Sequence, residues 1–199
     1  MTCNDFPRLV GVLINLRELF VNDAQAIANL MNYDISKYLY EVPDPYSAED
    51  ALNFIKTAHN GFKSLSALHF AIEYKGMSEP RNDYPVLVGS IGLKNIDLIN
   101  KKANLGYWIG KQYWGRGIAS ECVRLIINYA FSSDLGLREV IAYVFSENKA
   151  SIRILEKNGM KKKGEVNEYH EISKRHRNSL KYAIVSYTVD SSSGEGDFQ

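Results

Sequence analysis

The segment Gln112-Tyr113-Trp114-Gly115-Arg116-Gly117-Ile118-Ala119 constrains the fold more than any other part of the sequence, because it joins a strand-like run, Leu105–Ile109, to a helix-like run that begins near Ala119. A strand, a glycine turn and a helix start make an anion cradle. Glycine lets the backbone approach a ligand closely, and the first N–H groups of the helix point with its positive dipole end at whatever sits there. A pyrophosphate is the natural guest.

Two other phosphate loops are tested residue by residue. A dinucleotide fingerprint needs a third small residue at fixed spacing within an early βαβ unit, whereas Gly115 and Gly117 are followed by Ser120 in mid-chain, a weak match. A nucleoside-triphosphate loop needs four residues between its glycines and a hydroxyl after the lysine. Between Gly106 and Gly110 there are three, and Gln112 follows Lys111, so this reading is rejected.

The rest of the chain supplies a frame for the cradle. Val10–Leu19 reads as a first strand, and Asp23–Asn32 as a helix capped near Asn22 or Asp23 with Ala24, Ile27, Ala28 and Met31 on one face. After the Val42-Pro43-Asp44-Pro45 break, Ser47 with Asp50 three residues on predicts the cap of a second helix running to about Asn60-Gly61. Leu68–Tyr74 and Val86–Lys94 read as strands joined by a long polar loop, Lys75–Pro85, expected to be mobile. Ala103–Ile109 is the next strand. The helix after the glycines places Ala119, Cys122, Val123, Ile126, Ile127 and Ala130 at helical spacing, with Gly136 suited to its C-terminal cap. Glu139–Phe145 is rich in β-formers, Asn148–Asn158 is a short helix ended by Gly159, a strand follows Gly164, and Leu180–Val189 alternates as a late strand. The order is β-α-α-β-β-β-α-β-α-β-β. One domain over residues 8–190 is expected, with a flexible tail at 191–199.

At 199 residues, 45% hydrophobic and 24% charged, the chain is long enough for one substantial core. A formal net charge of +1 gives no general reason to bind nucleic acid or a membrane surface. The two cysteines, Cys3 and Cys122, form no metal or disulfide spacing, so a reducing cytoplasm and no metal are expected. Neither a signal peptide nor an apolar run of membrane-spanning length is read. Monomer and homodimer both stay open.

The pattern Gln112, Gly115, Gly117 resembles the acyl-CoA pyrophosphate loop of the GNAT N-acetyltransferases, whose form is Gln or Arg, two residues, Gly, one residue, then Gly or Ala. Gly106-Tyr107-Trp108-Ile109 before it and the run Ser146 to Met160 after it are similar to the RimJ/RimL branch, the protein-N-terminal and ribosomal-protein acetyltransferases. Leu16-Arg17-Glu18-Leu19 with Asn22-Asp23-Ala24 is similar to that branch's opening, so the resemblance covers nearly the whole chain. It implies the α/β (α+β) GNAT acyl-CoA N-acyltransferase fold, a mixed, mostly antiparallel twisted sheet flanked by helices, and acetyl-CoA as co-substrate. It also implies direct transfer of acetyl to a primary amine, of which a protein N-terminal α-amine is the first expectation. Polyamines, aminoglycosides and amino acids are the alternative acceptors, and a non-catalytic acyl-CoA-binding module and a structural partner protein that keeps only the fold are the alternative classes.

The resemblance assigns site residues one by one. Gln112, Gly115, Arg116, Gly117, Ile118 and Ala119 would hold the phosphates, and the backbone of Tyr107, Trp108 and Ile109 would pair with the pantetheine arm where this strand splays from its neighbour. Asn148 and Ser151 would contact the arm near its sulfur, with Ser151 the candidate acid for the thiolate. Many family members place a tyrosine acid where this chain has Leu155, which donates nothing. For the base, Glu168 and His170 fall on one face of the strand after Gly164 and the choice between them stays open. Bland readings stand beside these: the glycine loop as a plain turn, Arg116 as a solvated side chain, Asn148 or Ser146 as a helix cap and Ser151 as a first-turn residue. Glu168 and His170 read equally as solvated edge-strand side chains. Cys122 reads as core, and Lys161–Lys163 and Lys174–Arg177 as solvated turns, the second with some attraction for an acidic peptide or the adenosine 3′-phosphate. Tyr38, Tyr40 and Tyr46 are candidates for the acceptor side.

Overall fold

The computed structural model describes residues 5–40, 42–76, 86–170 and 175–186, with the side chains of Glu168, His170 and Arg175 left out. The loop at 77–85, the tail at 191–199, the last part of the expected Leu180–Val189 strand, Cys3 and Lys174 lie outside the described residues.

The elements are β1 (Leu9–Val10), β2 (Ile14–Glu18), α1 (Ala24–Leu30), α2 (Tyr33–Ser36), α3 (Ala48–Lys63), β3 (Ala67–Tyr74), β4 (Val86–Asp97) and β5 (Lys102–Ile109), then α4 (Ile118–Phe131), β6 (Glu139–Phe145), α5 (Lys149–Lys157), β7 (Lys161–His170) and β8 (Arg175–Val185). The strands form one sheet in the order β1-β2-β3-β4-β5-β6-β8-β7. Its one parallel neighbour pair is β5 and β6; the others are antiparallel. A parallel pair needs a long crossover, which the glycine loop and α4 supply.

Alternation along the strands builds two cores. Leu68, Phe70 and Ile72 of β3 and Val88, Ile91 and Leu93 of β4 join Cys122, Val123, Ile126, Ile127 and Ala130 of α4 on one face. Ala71 and Leu87 join Ala24, Ile27 and Leu30 of α1 and Ala51, Ile55 and Ala58 of α3 on the other. The α4 stripe follows the helical spacing read from sequence, except that Ile118, 1% exposed, is its first buried residue and Ala119 is half-buried. Burying each such Ile or Val contributes roughly 1.5–3 kcal/mol. Ser47 and Asp50 cap α3 reciprocally, Asp50 N–H donating to Ser47 Oγ at 3.1 Å and Ser47 N–H to Asp50 Oδ2 at 2.8 Å.

The expected Val10–Leu19 strand is two strands joined by a turn. Its cause is a buried carboxylate: Glu121 on α4 accepts from the N–H groups of Val12 (2.5 Å) and Leu13 (2.9 Å). Those donors are turned out of the sheet ladder, and Gly11 makes room, since a Cβ there would lie 2.5 Å from Glu121 Oε1. The helix expected over Asp23–Asn32 stops at Leu30, and the four-residue α2 follows it.

Candidate active site

The sheet opens between its two parallel strands. β5 pairs with β6 only from Lys102 to Leu105, against Glu139 to Ala142, although the strands continue to Ile109 and Phe145. Beyond Leu105 each leans on its outer neighbour instead, β5 on β4 and β6 on β8. Gly110 N–H donates to Val88 O at 2.8 Å. In an antiparallel ladder hydrogen-bonded pairs alternate with non-bonded ones, so the peptide groups of Tyr107 and Ile109 turn away from β4, toward the gap. Ile109 C=O is taken by the Trp114 indole N–H at 2.7 Å. Tyr107 N–H, Tyr107 C=O and Ile109 N–H are left to hold an extended, amide-bearing chain. The side chains alternate across the sheet: Tyr107 packs toward α4 and α5, and Trp108 with Tyr46 toward α1 and α3.

The glycine loop lies at the end of this gap. Gly115 and Gly117 have φ of 75° and 82°, left-handed values that other residues adopt only with strain. Space around them is open: a Cβ on Gly115 would meet nothing within 4 Å, and one on Gly117 only Leu13 Cδ1 at 3.7 Å. Gly117 is the N-cap of α4, and no side chain caps the helix there. The first amides of Ile118, Ala119 and Ser120 therefore keep the donors that a diphosphate accepts, and the residues present fit that group. Ile118 contributes through its backbone, its side chain being core. Gln112 is exposed, and its carbonyl accepts from Arg116 Nη2 at 3.1 Å. The Arg116 guanidinium also lies 5.6 Å from the centre of the Tyr113 ring, so it folds back on its own loop.

Helix α5 starts where β6 ends. Asn148 is its N-cap, with Oδ1 accepting from Ser151 N–H at 3.1 Å, so the capping reading of Asn148 holds and the cap fixes the turn that carries Ser151. Asn158 at the other end donates to Ser120 Oγ on α4 at 3.2 Å, tying α5 to the glycine-capped helix. Leu155, one turn after Ser151, is 1% exposed in the core. The Tyr107 hydroxyl comes up against this turn, buried and without a hydrogen-bond partner of ordinary geometry. Burial pushes its pKa up to about 12, against a smaller downward pull from the neighbouring Ser151 hydroxyl. No pattern in the sequence singles out that hydroxyl, because its isolation depends on what β5 and α5 bring together.

A strap crosses the mouth of the gap. On the β5 side, Asp34 of α2 bonds Lys111 at 2.6 Å and Lys37 at 3.2 Å, and the Lys111 bond is the main reason its carboxyl sits below the usual carboxylate range. On the β6 side, Arg177 of β8 donates to Lys37 O and to Glu147, and its guanidinium lies 3.4 Å from the centre of the Phe145 ring. Tyr40 hydrogen-bonds Ser179 Oγ and packs on the same ring. The expected solvated turn at 174–177 is thus corrected: 175–177 belong to β8, and Arg177 is 7% exposed, held by a carbonyl, a carboxylate and an aromatic face. Burial is the largest single influence on the Glu147 carboxyl and raises it, but the Arg177 hydrogen bond and charge together with hydrogen bonds from its own backbone N–H and Ser146 outweigh burial and leave the pKa lowered. Of the three tyrosines expected on the acceptor side, Tyr40 is in the strap, Tyr38 has Lys37 Nζ 5.2 Å from its ring centre, and Tyr46 belongs to the α1–α3 core.

Backbone register places Glu168 opposite Arg177 and His170 opposite Arg175; the side chains of Glu168 and His170 lie outside what the structure describes. Cys122 is 0% exposed in the core, its thiol pKa pushed up by burial. Among the described residues there is no group of three His, Cys, Asp or Glu side chains able to hold a metal ion, and no helix long and apolar enough to cross a membrane.

Residues 14–161 match the profile of the Acetyltransferase (GNAT) domain. The uncharacterized N-acetyltransferase YoaA of Bacillus subtilis is 33% identical over 185 residues, covering 92% of this chain and 97% of YoaA. YdaF of the same organism, named a putative ribosomal N-acetyltransferase, is 27% identical over 90% of this chain and 95% of its own. The spermidine N(1)-acetyltransferase of Escherichia coli is 25% identical over 87% of each chain. Among solved structures, Mycobacterium smegmatis RimJ in complex with CoA-disulfide superposes with a TM-score of 0.78 at 21% identity, over 90% of this chain and 86% of its own, a likeness of fold. With a sheet opened along β5, a glycine-capped helix facing the opening, and relatives matched almost end to end, the chain belongs to the GNAT family and is an acetyl-CoA-dependent N-acetyltransferase of RimJ/RimL-like architecture.

Proposed function

We propose that the acceptor is the α-amine at the N-terminus of a protein, with acetyl transferred directly from acetyl-CoA. The carrying observation is the charge at the mouth of the gap. The carboxylates described there, Asp34 and Glu147, are each engaged by cations, Lys111 and Lys37 on one side and Arg177 on the other. A polyamine needs carboxylates still able to take up its several charges. A peptide presents one amine on an extended backbone, and its unperturbed pKa of about 7.7–8.0 asks less of a base than lysine's roughly 10.4.

In this reading the glycine loop and the first amides of α4 hold the diphosphate, Tyr107 and Ile109 align the pantetheine arm, and Asn148 sets the turn from which Ser151 assists the departing thiolate. A cysteine-type thiol has an unperturbed pKa of about 8.5, so the leaving group needs a hydrogen bond more than a strong acid. The base comes from β7, from Glu168 or His170. Register supports Glu168, whose backbone stands opposite Arg177 across the β7–β8 pair. A positioned base contributes about a hundred- to ten-thousand-fold.

Acceptor screening by mass spectrometry tests the proposal. Purified enzyme with acetyl-CoA should acetylate peptides bearing a free α-amine and ignore the same peptides blocked at that amine. A preference for spermidine over every peptide overturns it in favour of a small-amine acceptor, the reading that the spermidine-acetylating relative favours. Glu168→Gln and His170→Ala, compared across pH, assign the base. If neither lowers the rate, the base lies elsewhere.

A further inference from the structure

The Tyr107 hydroxyl is an anomaly of the fold. A buried polar group without a partner costs about 1–3 kcal/mol, so folds rarely leave one without a reason. This one is carried by the strand that lines the gap, and it ends against the first turn of α5, beside Ser151. Leu155, the next residue along that face of α5, offers no donor.

We propose that Tyr107 is a positioning residue for leaving-group departure: with acetyl-CoA bound, its hydroxyl donates to Ser151 Oγ and turns the Ser151 O–H toward the coenzyme A sulfur. This rests on the proposed role of Ser151. A serine hydroxyl rotates freely, and on a helix its competing choice is the carbonyl four residues back. A donor that occupies an Oγ lone pair biases the rotor and polarises the O–H bond. In the transfer itself the amine nitrogen attacks the thioester carbon, the base takes the amine proton, and the C–S bond breaks with its electron pair passing to sulfur. The thiolate leaves hydrogen-bonded to Ser151 and takes its proton from solvent. Tyr107 keeps its own proton throughout, and burial in an apolar site holds it in the donor form across the working pH range.

Single-turnover rates for Tyr107→Phe, Ser151→Ala and the double variant test the inference. Tyr107→Phe should slow acetyl transfer about tenfold, the worth of one hydrogen bond, with the KM for acetyl-CoA unchanged. The double variant should be no slower than Ser151→Ala alone, because the tyrosine acts only through the serine. The free Tyr107→Phe protein should melt at the same temperature as the parent or higher, since an unsatisfied hydroxyl has been removed. Losses that multiply in the double variant, or a Tyr107→Phe rate equal to the parent's, overturn the inference while leaving Ser151 in place. A Ser151→Ala rate equal to the parent's removes the serine's role and this inference with it.

Discussion

At Gly117 one backbone angle serves two purposes. Its φ of 82° turns the chain into α4, and the missing Cβ leaves the helix amides open to a phosphate. Valine there should cost about 1–2 kcal/mol in strain, because a β-branched residue is forced into the left-handed region. Leu13 Cδ1, 3.7 Å from the new Cβ, is only an ordinary contact, so the rest of the effect falls on the ligand. Gly117→Val should therefore raise the Kd for acetyl-CoA at least about tenfold by titration while lowering Tm by about 2–8 °C. An unchanged Kd would reduce the loop to a turn. His69 on β3 makes a different prediction: burial, helped by Lys94, pushes its pKa down to about 4, and its ring stands edge-on to Phe54 at 5.3 Å. The unfolded chain takes up this proton as pH falls through about 6.5, whereas the folded chain stays neutral until about 4, so stability is lost across that window, by at most about 3 kcal/mol. Urea midpoints at pH 7 and pH 5 should differ in the parent and converge in His69→Leu. The glycines are legible in the sequence because their spacing is local. Glu121, Arg177 and the Tyr107 hydroxyl are not, because each takes its meaning from an element far away in the chain.

Elements whose signal lies in their own residues were legible: α4 in its apolar spacing, α3 in the Ser47–Asp50 cap, α5 in the Gly159 stop and the central strands in their runs of β-formers. The misreadings fall where a tertiary partner overrides a local pattern. Val10–Leu19 looks like one strand until Glu121 takes two of its amides. The α4 cap expected at Gly136 comes instead at Ser132, whose hydroxyl donates to Tyr129 O at 2.8 Å. Gly136, with φ of 64°, closes the following loop by donating to Ser132 O at 2.7 Å. The four-residue α2 has no period long enough to read. Helix α5 joins stability to the chemistry proposed for Ser151, since the Asn148 side chain that caps it accepts from the Ser151 amide. Asn148→Ala should cost about 1 kcal/mol in urea unfolding and lower kcat, while Asn148→Ser, which keeps a capping oxygen, should restore most of both. Loss of stability with no loss of kcat would separate the cap from the serine's placement.

For the whole molecule the central fact is that the sheet is open between β5 and β6 and yet held across the opening. The strap from Tyr33 to Tyr40 reaches Lys111 just past β5 through Asp34, and β8 through Lys37 O and Tyr40. Its two anchors are unequal. The Asp34–Lys111 pair is exposed to solvent and contributes little, whereas Arg177 is buried, holds the Lys37 carbonyl and Glu147, and lies over Phe145. Arg177→Leu should therefore free the β6 end of the strap while leaving the glycine loop, which is built from β5 and α4, in place. A hydrogen bond to a charged group is worth about 1.5–3 kcal/mol, so a drop in Tm of roughly 3–12 °C should accompany the change. If the acceptor enters past the strap, as the proposed function has it, KM for the acceptor should rise in steady-state kinetics about tenfold or more and KM for acetyl-CoA less than about twofold. A parallel rise in both constants would make the strap part of the coenzyme site. The unchanged acceptor KM of a folded Arg177→Leu protein would show that the segment braces the sheet without meeting the substrate.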